Sequence, residues 1–312
     1  MTRSPFSLLI SVAIFVSAVA TAPAAEPPTG SDSRPNPDRQ EEFSPGIEDV
    51  WETRRNAIRH EIAESEDHRW AGEYHRGNVI AVNARLTLAP KSGFTYVWFG
   101  HRDVYRDCGR VITEQGHLKL LCEFATMRQD GGSVAKEWIP VRWGERRYLV
   151  PVDDVLAFCN AVNEGSEPRE RAEWGRFFLG KDDHEVKVTG LPEVPEKYRA
   201  NLLQEPIHAT IIAVHPEEVT YHNGFGFHRI PLTLDVGSQD RVRVGMTFHR
   251  YERVPGGLLF TARVKSVDAH TCEALTSARV PGVSEIEDTQ PPPSPGWKLW
   301  TRGRSAECDQ RD

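Results

Sequence analysis

In the run VIAVNARLTLAPKSGFTYVWFG, residues 79–100, apolar side chains recur at every second position on either side of a short turn. Its first half places on one face Val82, Ala84, Leu86 and Leu88. Its second half places on one face Phe94, Tyr96 and Trp98. A period of two is typical of strands that bury one face. The run therefore predicts two half-buried antiparallel strands.

The same pattern continues on both sides of this run. Strand-like alternation recurs in HLKLLCEFA (117–125), in EWIPVRWGERRYLVP (137–151), in GRFFLG (175–180) and in HEVKVTG (184–190). A helix is predicted from Ser44 and Pro45 onward, and a second in DDVLAFCNAVN (153–163), which Gly165 ends. These elements predict a first domain over 44–204, a helix plus an antiparallel meander or barrel.

Five further short strands follow between residues 205 and 280. They are IHATIIAV, RIPLTLDV, MTFHRYE, LLFTARVKSV and CEALTSARV. Short, regularly spaced strands favour a small β-barrel or sandwich. The fold class predicted for the whole chain is therefore mainly β (α+β): two antiparallel β-rich domains with a few short helices.

Both ends of the chain read as segments outside these domains. Residues 1–24 carry Arg3 and an apolar core, and predict a secretory signal peptide cleaved after Ala24. Retention of that segment as an anchor is the alternative. Residues 25–43 and 281–312 are rich in Pro and charge, and predict a disordered linker and a disordered tail. The mature protein is expected in the periplasm or outside the cell.

Charge and hydropathy exclude some partners. The formal net charge is -7, whereas a nucleic-acid-binding surface needs concentrated Lys and Arg. A second long apolar run is absent from the sequence, so no transmembrane segment is predicted in the mature chain. The oligomeric state is left open.

The second domain carries a resemblance to a known group of proteins. The run LTLDVGSQDRVRVGMTFHRY, followed by ARVKSVDAHTCEAL, contains Gly237, Ser238, Asp240, Gly245 and Met246. It resembles the small β-barrel domain of bacterial flagellar assembly and related envelope proteins, although Arg241 stands where a Gly often follows the Asp. The resemblance implies a fold and a cell-envelope setting. The first domain resembles uncharacterised secreted bacterial proteins.

Catalytic signatures are absent from the sequence. It lacks G-x-S-x-G, H-E-x-x-H and a phosphate-binding glycine loop, and no cysteine pair has C-x-x-C spacing. We therefore predict no catalytic residue, no cofactor and no metal ligand, which favours a protein that is not an enzyme.

Aromatic residues provide two candidate contact sites. Tyr96 and Trp98 could line a pocket in the first domain, or fill its core. Phe225 and Phe227 alternate with glycines at a predicted hairpin tip, where they could contact a partner or fold back onto the barrel.

Cysteine spacing suggests one disulfide. In CGRVITEQGHLKLLC, a three-residue turn at Glu114–Gly116 would place Cys108 directly opposite Cys122. A two-residue turn would instead place Cys122 opposite Gly109 and leave two free thiols. The oxidising compartment expected after export favours the bond.

These observations favour a non-enzymatic, exported cell-envelope protein that binds another protein or a cell-surface polymer. A small-molecule carrier with an aromatic-lined β-barrel pocket is the first alternative. A hydrolase without a recognisable motif is the second.

Overall fold

The computed structural model describes residues 47–64, 68–77, 83–99, 104–123, 134–166, 168, 177–222, 225–250, 260–279 and 292–302. The side chains of Ile47 and of residues 219–228 and 277–279 lie outside that description. All described elements belong to one unit, Ser44–Asp312. The predicted signal peptide, the linker and the N-terminal cap of the first helix lie outside the described residues.

The described residues contain three α-helices. They are α1 (Ile47–Glu64), α2 (Val155–Glu164) and α3 (Glu196–Arg199). The predicted helix at 153–163 is confirmed, and Gly165 ends α2 with a φ of 78°. A 3-10 turn, Val152–Asp154, leads into α2. None of the helices in the described ranges is long and apolar enough to cross a membrane.

The first eight strands close into an antiparallel barrel. They are β1 (Gly72–Arg76), β2 (Asn83–Ala89), β3 (Gly93–Phe99), β4 (Val104–Glu114), β5 (His117–Cys122), β6 (Glu137–Trp143), β7 (Arg146–Pro151) and β8 (Phe178–Gly180). Each strand pairs with its neighbours in sequence, and β8 pairs back onto β1 to close the barrel. We call this unit the first barrel.

Two helices cover the outer wall of the first barrel. Trp51 of α1 is buried on Val97 and Cys108, and its indole N–H donates to the Tyr96 carbonyl at 3.0 Å. On another part of the wall, Phe158 of α2 packs edge-on against Tyr148. Where a helix covers the wall, the strands are therefore buried on both faces. Successive side chains of such a strand point alternately into the barrel and towards the helix.

The second sheet also closes on itself. Its strands are β9 (His208–Val214), β10 (Glu218–His222), β11 (Phe225–Leu234), β12 (Thr247–Arg250), β13 (Thr261–Val267), β14 (Cys272–Arg279) and β15 (Lys298–Trp300). Six of them form a circuit in the order β11, β14, β13, β12, β15, β9, because β9 pairs with both β15 and β11. Strand β10 extends this second barrel as a hairpin partner of β11. The predicted fold class is confirmed.

The loop that carried the resemblance is held by close backbone contacts. The Asp240 carboxylate accepts a hydrogen bond from the Gly237 N–H at 2.9 Å. Gly237 has an extended φ of -139°, and a Cβ there would lie 2.6 Å from the Asp268 carbonyl oxygen. This position therefore requires glycine because two backbone segments approach each other closely, and not because the backbone turns there. Gly245 has a φ of 86°, and Met246 is fully buried.

Two sequence expectations about secondary structure were wrong. Residues 184–190 form turns and irregular backbone instead of a strand, because β1 and β7 already pair with β8 and leave no edge. Residues 298–300 form β15, so that part of the predicted C-terminal tail belongs to the second barrel. Only the pairing offered by β9 and β12 makes this short segment a strand.

The predicted Cys108–Cys122 disulfide was also wrong. The β4–β5 turn has two residues, Gln115 and Gly116, both with positive φ, and this turn type matches the strand twist. Cys122 therefore lies opposite Gly109. Both cysteines are free thiols.

Candidate functional site

The interior of the first barrel is filled by its own side chains. Tyr96 is 3% exposed and packs edge-on against Tyr105 at 6.1 Å and Phe178 at 6.5 Å between ring centroids. Trp98 is partly buried against the same core. The two aromatics that the sequence suggested for a pocket are therefore packing elements of the barrel.

An ion pair lies at one end of the first barrel. The Asp183 carboxylate accepts bonds from the Arg147 backbone N–H at 2.7 Å, from its Nε at 3.1 Å and from its Nη2 at 3.1 Å. Asp183 is 7% exposed. The pair lies near Gly72, where β1 begins.

The other end carries an open cleft of about 260 Å³, where β1 ends, β2 begins and β3 ends. We call it the rim cleft. Its lining residues are His75, Arg76, Gly77, Asn83, Ala84, Arg85 and Phe99. Two guanidinium groups, an imidazole, an amide and an aromatic ring thus share one concave surface.

Strand register assembles the rim cleft. In the β1–β2 pair, His75 lies opposite Arg85 and Arg76 lies opposite Ala84. In the β2–β3 pair, Asn83 lies opposite Phe99. Directly opposed side chains on one face are about 5 Å apart at Cβ, so these residues are neighbours by construction. Sequence reasoning did not identify Arg85 and Phe99 as site residues, because the registers that bring β1, β2 and β3 together are not visible in a single strand.

A half-buried carboxylate, Glu73, lies among the cations beside the cleft. Glu73 Oε1 lies 3.1 Å from Arg85 Nε and 3.2 Å from His75 Nε2, and its Oε2 lies 3.8 Å from Lys181 Nζ. Burial opposes ionisation of Glu73, but Arg85, Lys181 and His75 outweigh it and hold its pKa below the ordinary value. Glu73 is therefore an anion, and it orients the Arg85 side chain.

The imidazole in the cleft contributes no charge at neutral pH. Burial and the nearby Arg85 guanidinium lower the pKa of His75, although Glu73 opposes the shift. Among the residues that the structure describes here, Arg76, Arg85 and Lys181 are cations and Glu73 is a carboxylate.

An apolar ridge continues from the cleft along the outer wall. Phe99 lies opposite Val104 in the β3–β4 pair, and each is 39% exposed. Trp51 of α1 covers Val97, two residues before Phe99 on the same face, and Val50 of that helix is 40% exposed. Exposed aromatic and aliphatic side chains beside a cleft are typical of contact surfaces.

A second concave surface of about 350 Å³ lies on the second barrel, along β9 and β15. It is lined by His208, Ala209, Thr210, Lys298 and Leu299. Lys298 Nζ donates to Thr210 Oγ1 at 2.8 Å, so its cation is engaged within the groove wall. Its volume is larger, but it offers one cation where the rim cleft offers two guanidinium groups and an exposed ring. The rim cleft is therefore the better candidate site.

A buried polar chain joins the two barrels. Glu164 of α2 lies 3.4 Å from His249 Nε2, and the other ring nitrogen is 3.3 Å from the Thr261 hydroxyl. Asn160 of α2 donates to the Gly245 carbonyl at 2.9 Å. The hydroxyl–imidazole–carboxylate order resembles that of a nucleophilic triad. Glu164 and His249 are 8% and 7% exposed, so this arrangement acts as a link between barrels.

The remaining predicted site residues fall elsewhere. Phe225 and Phe227 lie in strand β11 rather than at a hairpin tip, since His222 pairs directly with Phe225. Their side chains lie outside the described residues. Burial raises the pKa of Cys108 to about 11 and, together with Asp107, that of Cys122 to about 12, so both remain thiols at neutral pH.

Within the described residues, no group of three or more His, Cys, Asp or Glu side chains is placed to hold a metal ion. Neither a protein-family model, nor a curated protein, nor a solved structure matches this chain. The rim cleft and the apolar ridge are therefore interpreted from their own chemistry.

Proposed function

We propose that this protein is a non-enzymatic binding module, exported to the cell envelope, that holds another protein or a cell-surface polymer at the rim cleft. One contrast carries the proposal. The barrel interior is packed with its own aromatic side chains, whereas Phe99 remains 39% exposed beside two guanidinium groups. Recognition then takes place on the surface of the barrel.

The carrier alternative draws less support from the same geometry. A carrier needs an interior volume for its ligand, and Tyr96, Tyr105 and Phe178 occupy that volume in the first barrel. The hydrolase alternative rests on Thr261, His249 and Glu164. Glu164 and His249 are 8% and 7% exposed, so the carboxylate and the imidazole offer little approach for a substrate.

The envelope setting rests on the sequence signal at residues 1–24 and on the resemblance of the second barrel. The contact between Asp240 and Gly237, and the buried Met246, give structural roles to three of the residues that carry the resemblance. We propose that the second barrel is a rigid support of that envelope type and that the first barrel binds the partner.

The test is capture from envelope extracts with immobilised mature protein, residues 25–312. Phe99→Ser and Val104→Ser should each reduce capture at least fivefold, because they remove apolar surface at the ridge. Ile112→Ser is the matched control: it is an exposed apolar residue (37%) on the same outer wall of β4, at the other end of the strand. Equal capture by all three variants and the unmodified protein would show that the rim is not the binding surface.

A further inference from the structure

We infer that two copies of this protein associate through strand β10, Glu218–His222, which pairs antiparallel with β10 of the second copy about a twofold axis at Thr220. This inference goes beyond the proposed function, because it concerns the second barrel and does not involve the rim cleft. It draws on the topology of the second sheet, on the direction of the backbone groups of β10 and on the sequence of that strand.

Strand β10 has an open edge. In the described part of the chain every other strand is paired on both sides, whereas β10 pairs with β11 alone. Strand β9 lies on the same side of β11 further along, where it pairs with Leu232, Thr233 and Leu234. An open edge presents a row of backbone N–H and C=O groups, which can pair with a strand from another chain.

The register of the β10–β11 hairpin decides which backbone groups face the open edge. His222 pairs with Phe225 across two intervening residues. The residues that flank a two-residue loop form a hydrogen-bonded pair, so the backbone groups of His222 point towards β11. Backbone groups alternate in direction along a strand. Those of Thr220 therefore also point towards β11, and those of Val219 and Tyr221 point to the open edge.

The sequence of β10, EVTYH, is complementary to itself when one copy is reversed. A twofold axis at Thr220 places Val219 opposite Tyr221 of the second copy, and Glu218 opposite His222. Val219 and Tyr221 are the residues whose backbone groups face the edge, so each such pair exchanges both of its N–H···O bonds. Aromatic residues opposite β-branched ones, and acidic residues opposite basic ones, are favourable cross-strand neighbours.

Other registers do not combine these features. A shift of one residue would place Val219, which faces the edge, opposite Thr220, which faces β11, and the hydrogen bonds between the strands would be lost. A shift of two residues would move the axis to Val219 or Tyr221 and leave fewer residues of the short strand paired. The axis at Thr220 is therefore the register that the strand favours.

The composition of β10 permits pairing at its edge. The strand contains neither proline nor lysine, two residues that block edge pairing, and its three central residues favour strands. One strand pair makes a small interface, so the association is a reversible equilibrium. Each copy uses its open edge once, and the twofold symmetry closes the assembly as a dimer.

The first test measures the mass of the mature protein by sedimentation velocity. It should rise from that of a monomer towards that of a dimer as the concentration increases from about 2 to about 200 µM. Val219→Pro removes a backbone N–H that faces the edge and keeps the pairing with β11, so this variant should stay monomeric with an unchanged circular dichroism spectrum. Val219→Thr keeps the N–H and is the matched control, which should dimerise like the unmodified protein. A monomeric unmodified protein, or equal dimerisation of Val219→Pro, would overturn the inference.

The second test checks the register by cross-linking and does not depend on a proline. Residues opposed in a non-hydrogen-bonded pair are about 4.5 Å apart at Cα, so Thr220→Cys should form a disulfide with its own copy. Replacing Cys122 and Cys308 by Ser leaves three native cysteines, all of them buried. On oxidation, Thr220→Cys should cross-link roughly tenfold faster than Ile212→Cys, an exposed position on β9 that reports random collision. Equal rates would overturn the inference.

Two other occupants of the edge would give different results. If a strand of another protein occupies it, the purified protein stays monomeric and capture of that protein from extracts is lost in Val219→Pro. If a segment of the same chain covers it, the protein stays monomeric and the Val219 and Tyr221 amides are protected from exchange at every concentration. Either result would overturn the inference.

Discussion

The two barrels are filled by different kinds of side chain. In the first, seven of the fifteen buried core residues are aromatic, and the largest of them, Trp138, is 1% exposed. In the second, two of the sixteen buried core residues that the structure describes, Phe248 and Phe260, are aromatic. Barrel diameter grows with strand number, and the first barrel closes with eight strands where the second closes with six. The wider barrel therefore needs bulky rings to fill it.

This difference explains the aromatic signal in the sequence. Tyr74, Tyr96, Trp138 and Phe178 could belong either to a ligand pocket or to a core. Strand number decides between them, because an eight-stranded barrel has an interior that large side chains can fill completely. The same residue types in the second barrel would overpack it, and small residues such as Ala262 and Ala274 stand there instead.

The largest expected effect is removal of the central ring of the first barrel. Trp138→Ala should lower the free energy of unfolding by about 3–5 kcal/mol, because it leaves a large cavity in a packed interior. Urea denaturation followed by circular dichroism measures this value. Trp143→Ala, on the partly buried outer side of β6, is the control and should cost less. A change below about 1 kcal/mol for Trp138→Ala would mean that the barrel is loosely filled, and would revive the carrier interpretation.

The Arg147–Asp183 ion pair at one end of the first barrel should have the next largest effect. Asp183→Asn should lower the free energy of unfolding by about 2–3 kcal/mol, less than for a fully buried pair because the Arg147 side chain is 33% exposed. Thermal unfolding at several salt concentrations checks this. The exposed carboxylate of Glu185 provides a control, and Glu185→Gln should leave stability unchanged within about 0.5 kcal/mol. Equal melting temperatures for both variants would show that the Arg147–Asp183 pair does not stabilise the first barrel.

Enlarging a small residue tests the narrower barrel. Ala262 is fully buried, so Ala262→Leu should destabilise the protein by about 1–3 kcal/mol through overpacking. Hydrogen-exchange mass spectrometry should show the loss of protection in β12, β13 and β14. Ala213→Leu, on a partly exposed site of β9, serves as the control. A stabilising effect of Ala262→Leu would show unfilled space in the second barrel and break the contrast between the two.

Acid should loosen the first barrel before the second, with the smallest effect. The pKa of His75 is lower in the folded protein than its ordinary 6.5, so the unfolded chain binds the proton first and stability falls as the pH drops below about 6.5. Glu73 acts in the same direction below its ordinary pKa of 4.5, since its stabilising charge is lost on protonation. Protection factors, which divide the intrinsic exchange rate at each pH by the measured rate, should therefore fall from pH 7 to pH 4 more in β1 and β2 than in β13 and β14.

His75→Gln separates the two steps of that acid response. The variant should lose the part of the response that begins near pH 6.5 and keep the part that belongs to Glu73. A response identical to that of the unmodified protein would show that His75 is not linked to the stability of the first barrel.

Local pattern was sufficient for most strands and for α2. The alternation in residues 83–99 produced β2 and β3 as predicted, and Gly165 ends α2 as expected. It was insufficient for two other segments: residues 184–190, predicted as a strand, form none, and residues 298–300, predicted as tail, form β15. The first segment has no strand edge to pair with, and the second has two. Whether a short segment becomes a strand therefore depends on the strand edges beside it as much as on its own sequence.

The amino-acid sequence by itself determined the β class, the alternation of faces along each strand and the division into two β-rich units. These features depend on side chains a few residues apart, so the spacing of apolar residues and the types of residue in the turns are enough to predict them. Only the tertiary structure decided the closure of both barrels, the two-residue turn that separates Cys108 from Cys122, and the rim cleft where Arg85 meets Phe99. These features require strands to choose neighbours and registers, and a shift of one residue in register would move every side chain to the opposite face.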